Sequence, residues 1–169
     1  GIGKTAILRT VLDSYPEMKG AELIGKTLSN ETPDNFTLPK YVTVDGQEKA
    51  DDVPKTWLPV YKPTGDKEKD AKADAACGRG LLFIDELSRA TPQVRNGVLP
   101  LINEKIFNGY KVGSGWVIIA ASNRPEDELS GQTSLGNALL NRFNVLYYEP
   151  TAKGWMEWAK TQNYISPLL

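Results

Sequence analysis

Two stretches of the chain, Leu81-Leu82-Phe83-Ile84 and Trp116-Val117-Ile118-Ile119-Ala120-Ala121, are apolar without interruption, and each ends abruptly in polar residues. A strand with one wet face alternates apolar and polar side chains, so a short unbroken run marks a strand buried on both faces, as in a parallel sheet covered by helices. Between the two runs, Thr91-Pro92 supplies an N-cap and a proline at the first helical position. Val94, Val98, Leu101 and Ile102 then form an apolar helical face, within which Pro100 predicts a bend. Buried strands alternating with helices predict an α/β fold with a parallel sheet.

The remaining segments extend this pattern. Ile7, Leu8, Val11 and Leu12 recur at helical spacing until Tyr15-Pro16, which predicts a helix over 4–14. Residues 22–28 suit a strand. From Asn30 to Arg79 the chain is polar and proline-punctuated and reads as an insertion. Within it only Tyr41-Val42-Thr43-Val44 suggests a short strand, and the mixed charges of 65–76 suggest a solvated helix or loop. Residues 108–115 carry turn chemistry at both ends and predict a small hairpin. Leu135 to Asn141 reads as helix and Val145-Leu146-Tyr147-Tyr148 as a strand, while Thr151 caps a last helix bearing Trp155, Met156 and Ala159.

Composition narrows the chemistry. The chain of 169 residues contains no histidine, and Cys77 is its one cysteine. That excludes Ser-His-Asp and Cys-His catalysis, histidine-ligated metals, cysteine-rich zinc sites and an intramolecular disulfide. Lys and Arg number 20 against 21 Asp and Glu, so the net charge of −1 exerts no overall pull on nucleic acid or anionic lipid. No apolar run approaches the roughly 18 residues that cross a bilayer, and the first residues are not a signal peptide, so a cytoplasmic location is expected. The reactive groups available are carboxylates, Lys, Arg, hydroxyls and a recruited metal.

In parallel α/β sheets, ligands bind beyond the carboxyl ends of the strands. Three sets of residues qualify. The first is Gly1-Ile2-Gly3-Lys4-Thr5-Ala6, opening the first helix. It matches the second half of a phosphate-binding loop, G-x-x-x-x-G-K-[ST], in which glycines let backbone N–H groups curl around phosphates, the lysine reaches the outer phosphates and the hydroxyl holds magnesium. The alternative is an ordinary glycine turn before a helix. The second is Asp85-Glu86, resembling a Walker B pair: an aspartate ordering the magnesium shell through water, and a glutamate deprotonating the attacking water. Alternatively, one carboxylate caps the following turn. The third is Asn123, an uncharged amide able to hold water beside the γ-phosphate; an Asx turn ahead of Pro125 is its alternative.

The order of these residues, followed by Leu139-Leu140-Asn141-Arg142-Phe143, resembles the AAA+ ATPases. The run from Phe83 through Glu104, then Asn108 to Gly115, together with the tail beginning Trp155-Met156-Glu157-Trp158-Ala159, is similar to the MoxR-like branch often carried by bacteriophages. The resemblance spans nearly the whole chain outside the insertion. It implies a P-loop NTPase core of strand order 5-1-4-3-2 over residues 1–150, with 151–169 beginning a helical lid. It also implies ATP and magnesium as ligands, Thr5 and Asp85 at the metal, and ATP-driven remodelling of an unknown protein client. The working form would be a homo-oligomer, a hexameric ring with ATP at each subunit boundary. Arg142 then resembles the arginine finger that reaches a neighbour's γ-phosphate, where a guanidinium is worth about 10³ to 10⁵ in rate; the alternative is a helix-end anchor. Arg89 and Arg124 are weaker candidates for the same boundary.

The sequence departs from the family in three respects: the motif's first glycine would fall three residues before Gly1, the strand preceding the loop is missing, and so is most of the lid. The expectation is a piece of something longer, with unpaired strand edges, poor folding and weak ATP binding. Two other functions fit a P-loop fold. A nucleic-acid motor or loader lacks support from Lys19, Lys26 and Lys40, which are scattered among acids. A non-hydrolysing ATP-binding adaptor has no need for the base Glu86.

Overall fold

The computed structural model of the protein describes residues 3–123 and 140–160. Helix α1 spans Lys4–Ser14 and ends at Tyr15, whose backbone is extended ahead of Pro16. Proline excludes helical geometry from the residue before it and brings no N–H to continue the ladder. Strands β1 (Glu22–Thr27), β5 (Arg79–Asp85) and β8 (Gly115–Ala120) form a sheet ordered β1-β5-β8. Both outer strands run parallel to β5, with Leu81 opposite Leu23 on one side and Val117 on the other. The protein is thus α/β, with a three-stranded parallel sheet flanked by helices. Leu81 to Ile84 are all buried, as a strand covered on both faces requires.

Helix α3 (Pro92–Glu104) lies against one face of the sheet. The Thr91 side chain accepts a hydrogen bond from the Val94 N–H at 3.3 Å, the cap expected from sequence. Val94, Val98 and Leu101 are buried in one cluster with Leu82, Ile84 and Trp116, and the helix continues through Pro100. Trp116 is 1% exposed, and its indole N–H donates to the Cys77 carbonyl at 2.8 Å. Its ring requires glycine at position 80: a β-carbon there would lie 2.9 Å from the indole and closer still to the Glu22 carbonyl.

The polar segment between Asn30 and Arg79 is more structured than its composition suggests. It contains β2 (Thr37–Val44) and β3 (Gln47–Pro54), paired antiparallel over eight residues each, then β4 (Val60–Tyr61) and α2 (Lys67–Ala76). The expectation of one short strand at 41–44 is corrected on two counts: that strand is longer, and β3 is its partner. The sequence of β3, QEKADDVP, is mostly exposed and shows no apolar alternation, so periodicity has nothing to report. The readable signal was Asp45-Gly46, whose φ values of 53° and 76° build the tight turn. Phe36 and Leu58 from this segment are buried in the main core, and Phe36 packs edge-on to Trp57 with centroids 5.6 Å apart.

The expected hairpin forms from β6 (Ile106–Phe107) and β7 (Tyr110–Val112) around Asn108-Gly109, and β4 adds a third strand. The last helix, α4 (Ala152–Lys160), is capped as expected, Thr151 Oγ1 accepting from the Gly154 N–H at 3.1 Å. The strand expected at 145–148 is absent. A strand exists only as part of a ladder; this segment pairs with none of the described residues, and Leu146 and Tyr147 are 90% and 80% exposed. Most of the helix expected over 135–141 lies outside the described residues.

Helix α2 is fastened by charge. Asp74 accepts from the Ser114 N–H at 2.7 Å and from its hydroxyl at 2.6 Å, and these bonds hold the carboxyl below its usual pKa. A depressed pKa contributes stability that is present above the unfolded value, about 3.9, and lost as pH falls through the folded value. Asp74→Ala is therefore expected to lower the thermal midpoint at pH 7, with the difference from the parent chain shrinking as pH falls through the depressed folded value. A difference independent of pH would show that the contact is purely packing.

Candidate functional site

Three of the candidate residues, Lys4, Asp85 and Asn123, meet at the carboxyl ends of the parallel strands. Gly3 precedes α1 in the left-handed conformation, φ 74°, and no side chain caps the helix start. This leaves first-turn N–H groups and the positive end of the helix dipole facing outward, a favourable setting for an anion. From the first turn, Lys4 Nζ reaches back 2.9 Å to Asp85 Oδ1 at the end of β5. The same ammonium donates a longer bond, 3.4 Å, to Asn123 Oδ1. Asn123 is held there because the ladder continues past β8: the Ala121 N–H donates to the Ile84 carbonyl at 2.8 Å, and the Leu87 N–H returns to the Ala121 carbonyl at 3.2 Å.

Thr5 and Asp85 together line a cavity of about 300 Å³ that also takes in Arg9, Gly25 and Thr27. Thr27 stands opposite Asp85 in the β1–β5 register. It was missed in the sequence because β1, with Gly25 and Lys26 ahead of Thr27 and no fully buried residue, lacks the unbroken apolar run that marked Asp85. Lys4 and Asp85 are both largely shielded, at 20% and 24% side-chain exposure, so the pair feels less screening than a surface ion pair.

Glu86 is placed differently from its neighbour. Its backbone is left-handed, φ 55°, an uncommon state for a residue with a β-carbon, and its N–H donates to Asp85 Oδ1 at 2.9 Å. One carboxylate oxygen accepts from Ser29 Oγ at 2.5 Å and the other pairs with Arg89 Nη1 at 3.4 Å. The carboxylate is thus engaged by Ser29 and Arg89, whereas the Lys4 ammonium bonds to Asp85 and Asn123. Ser29, in the turn Leu28–Asn30 after β1, was also missed in the sequence, because a lone serine in a polar segment carries no signal.

A magnesium–phosphate ligand makes definite demands on the donor set. Among the described residues no group of three or more Asp, Glu or Cys side chains could enclose a metal. One carboxylate and one hydroxyl beside an ammonium suit magnesium that keeps its waters and shares phosphate oxygens, and they do not suit a closed all-protein cage. The residues fit the group on that basis. Arg142 is exposed in the turn after Leu140 and has no hydrogen bond or ion pair to the Lys4–Asp85 cluster, while neighbouring Phe143 packs on the core. Gly1, Ile2 and Arg124 lie outside the described residues, as does all but the end of the segment joining Asn123 to Arg142. Among the described residues no helix is long and apolar enough to cross a membrane. No protein-family profile matches the chain, and no curated protein matches it in sequence.

Proposed function

We propose that this chain is the nucleotide-binding core of a ring-forming ATPase of the MoxR-like AAA+ type, a P-loop NTPase that hydrolyses ATP with magnesium to remodel a protein client. The observation that carries this reading is the convergence of Lys4, Asp85 and Asn123, from three distant parts of the sequence, at one end of a parallel sheet. The sheet order β1-β5-β8 supports it, since the resemblance orders its second, third and fourth strands the same way.

In this mechanism Lys4 and the first-turn N–H groups of α1 hold the phosphates. Thr5 and Asp85 would hold magnesium, which would supply charge neutralisation at the phosphate oxygens. Asn123 orients a water, Glu86 takes its proton, the water oxygen bonds to the γ-phosphorus, and the bond to the ADP oxygen breaks. Arg142 acts on the neighbouring subunit's site. Glu86 must first leave Ser29 and Arg89, because both of its oxygens are engaged there. That engagement favours the second reading, an adaptor that binds ATP without hydrolysing it.

One experiment separates the two: magnesium-dependent turnover per subunit across protein concentration, on a polypeptide whose phosphate loop is completed upstream of Gly1. The expected result is turnover that climbs with concentration, the climb being lost in Arg142→Ala while ATP binding persists. Turnover that is flat with concentration would make Arg142 structural and the site monomeric. ATP binding with no turnover would leave the adaptor.

A further inference from the structure

The cavity beside Asp85 is bordered by oxygen atoms with bonding capacity to spare. Leu23, Gly25 and Thr27 alternate along β1 and line it with Phe83 and Asp85 of β5, so these residues share one face of the sheet. Lys26, between Gly25 and Thr27, turns its ammonium to the Trp57 ring, 4.5 Å from the centroid. Thr5 borders the same cavity from the first turn of α1. Asp85 Oδ1 is occupied, accepting from Lys4 Nζ and from the Glu86 N–H, each at 2.9 Å. Its Oδ2 accepts no hydrogen bond from the described residues, and the Thr5 and Thr27 hydroxyls have no hydrogen-bond partner among them.

The register ties Thr27 to Asp85. They are Cα partners across the β1–β5 pair, and partners in a parallel pair present their side chains on the same face. Neighbouring strands lie about 4.8 Å apart. One water hydrogen-bonded at about 2.8 Å to each of two oxygens spans that gap. A hydroxyl suits such a water, because it accepts or donates as required and brings no charge of its own. Lys4 bonds to Asp85 and Arg9 lines the same cavity, so positive charge already offsets the carboxylate. A bare divalent ion is disfavoured here, and the setting suits one that arrives with phosphates and keeps its waters.

We propose that Thr27 is a positioning residue for magnesium, its hydroxyl and Asp85 Oδ2 sharing a water of the ion's shell. The role rests on the nucleotide reading above. Groups that hold a metal's ligands in place are typically worth 10- to 100-fold in metal affinity, on the order of the effect expected here.

The test is equilibrium binding of a fluorescent, non-hydrolysable ATP analogue, titrated with magnesium, on the polypeptide whose phosphate loop is completed upstream of Gly1. Thr27→Val removes the hydroxyl and keeps the branched shape that suits a strand, at an exposed position, so folding is not burdened. It is expected to raise the half-saturating magnesium concentration roughly 10-fold, and Thr27→Ser to stay within about 2-fold of the parent. Binding of the analogue in EDTA should be the same in all three, because the hydroxyl is assigned to the ion's water and not to phosphate. A merely structural threonine would shift both conditions together. An unchanged magnesium dependence in Thr27→Val, an equal shift in Thr27→Ser, or parent binding that ignores magnesium would overturn the role of Thr27 and leave the nucleotide reading standing. A parent polypeptide that does not bind the analogue at all would overturn both.

Discussion

Replacing Glu86 by Gln is expected to reduce ATP turnover roughly 10²- to 10⁴-fold while leaving nucleotide binding nearly unchanged. Glutamine keeps the volume of the side chain and an oxygen able to accept from Ser29, but it cannot take a proton from water. The left-handed backbone and the Asp85 bond to the Glu86 N–H are independent of the side-chain charge, so the local fold should persist. Lys4→Ala is the complementary change. It removes the ammonium that meets both Asp85 and Asn123, so its loss should appear in nucleotide affinity as well as in rate. Single-turnover phosphate release, paired with equilibrium binding of a fluorescent nucleotide, separates the two effects. If Glu86→Gln abolished binding, Glu86 would be a structural or ligand-holding residue and its assignment as the base would fail.

Trp116→Ala is expected to destabilise the fold by about 3 to 5 kcal/mol, the range for truncating a large core side chain. The residue is 1% exposed in the main core cluster, its indole N–H satisfies the Cys77 carbonyl, and Gly80 and Gly113 leave room for its ring. Truncation opens a void that the rigid β5 backbone cannot close and leaves a carbonyl without its donor. The neighbouring Val117 is 51% exposed, so Val117→Ala should change stability by only about 0.5 kcal/mol or less. Chemical denaturation of both variants gives the comparison. The expectation is a lower midpoint with an unchanged slope for Trp116→Ala, and a loss below about 1 kcal/mol would contradict the packing described here.

What could be read in advance follows from the range of the interactions involved. The cap at Thr91, the stop at Tyr15-Pro16 and the cap at Thr151 depend on hydrogen bonds and steric limits within a few residues, and all three form as expected. The hairpin at Asn108-Gly109 is equally local. The strand expected at 145–148 failed on the opposite ground: its residues favour extended backbone, but a strand needs a partner edge, which no local pattern supplies. The middle segment was under-read because none of the described side chains of β2 and β3 is fully buried, so the segment lacks the burial that produces a periodic signal.

Of the two unbroken apolar runs, residues 81–84 are buried on both faces, whereas β8, expected to be so, is buried only at Trp116 and leaves Val117 exposed at the sheet edge. By itself the sequence nonetheless determined the α/β class, through those runs, and the chemical menu, through the lack of histidine and the runs' polar ends. Both are properties of composition and near-neighbour geometry. Only the tertiary structure decided that Lys4 meets Asp85 and Asn123, that Ser29 and Arg89 engage the Glu86 carboxylate, and that Phe36 and Leu58 leave a polar segment for the core. These contacts join residues up to 119 positions apart, and such pairings depend on strand order and register, which the parallel sheet alone supplies.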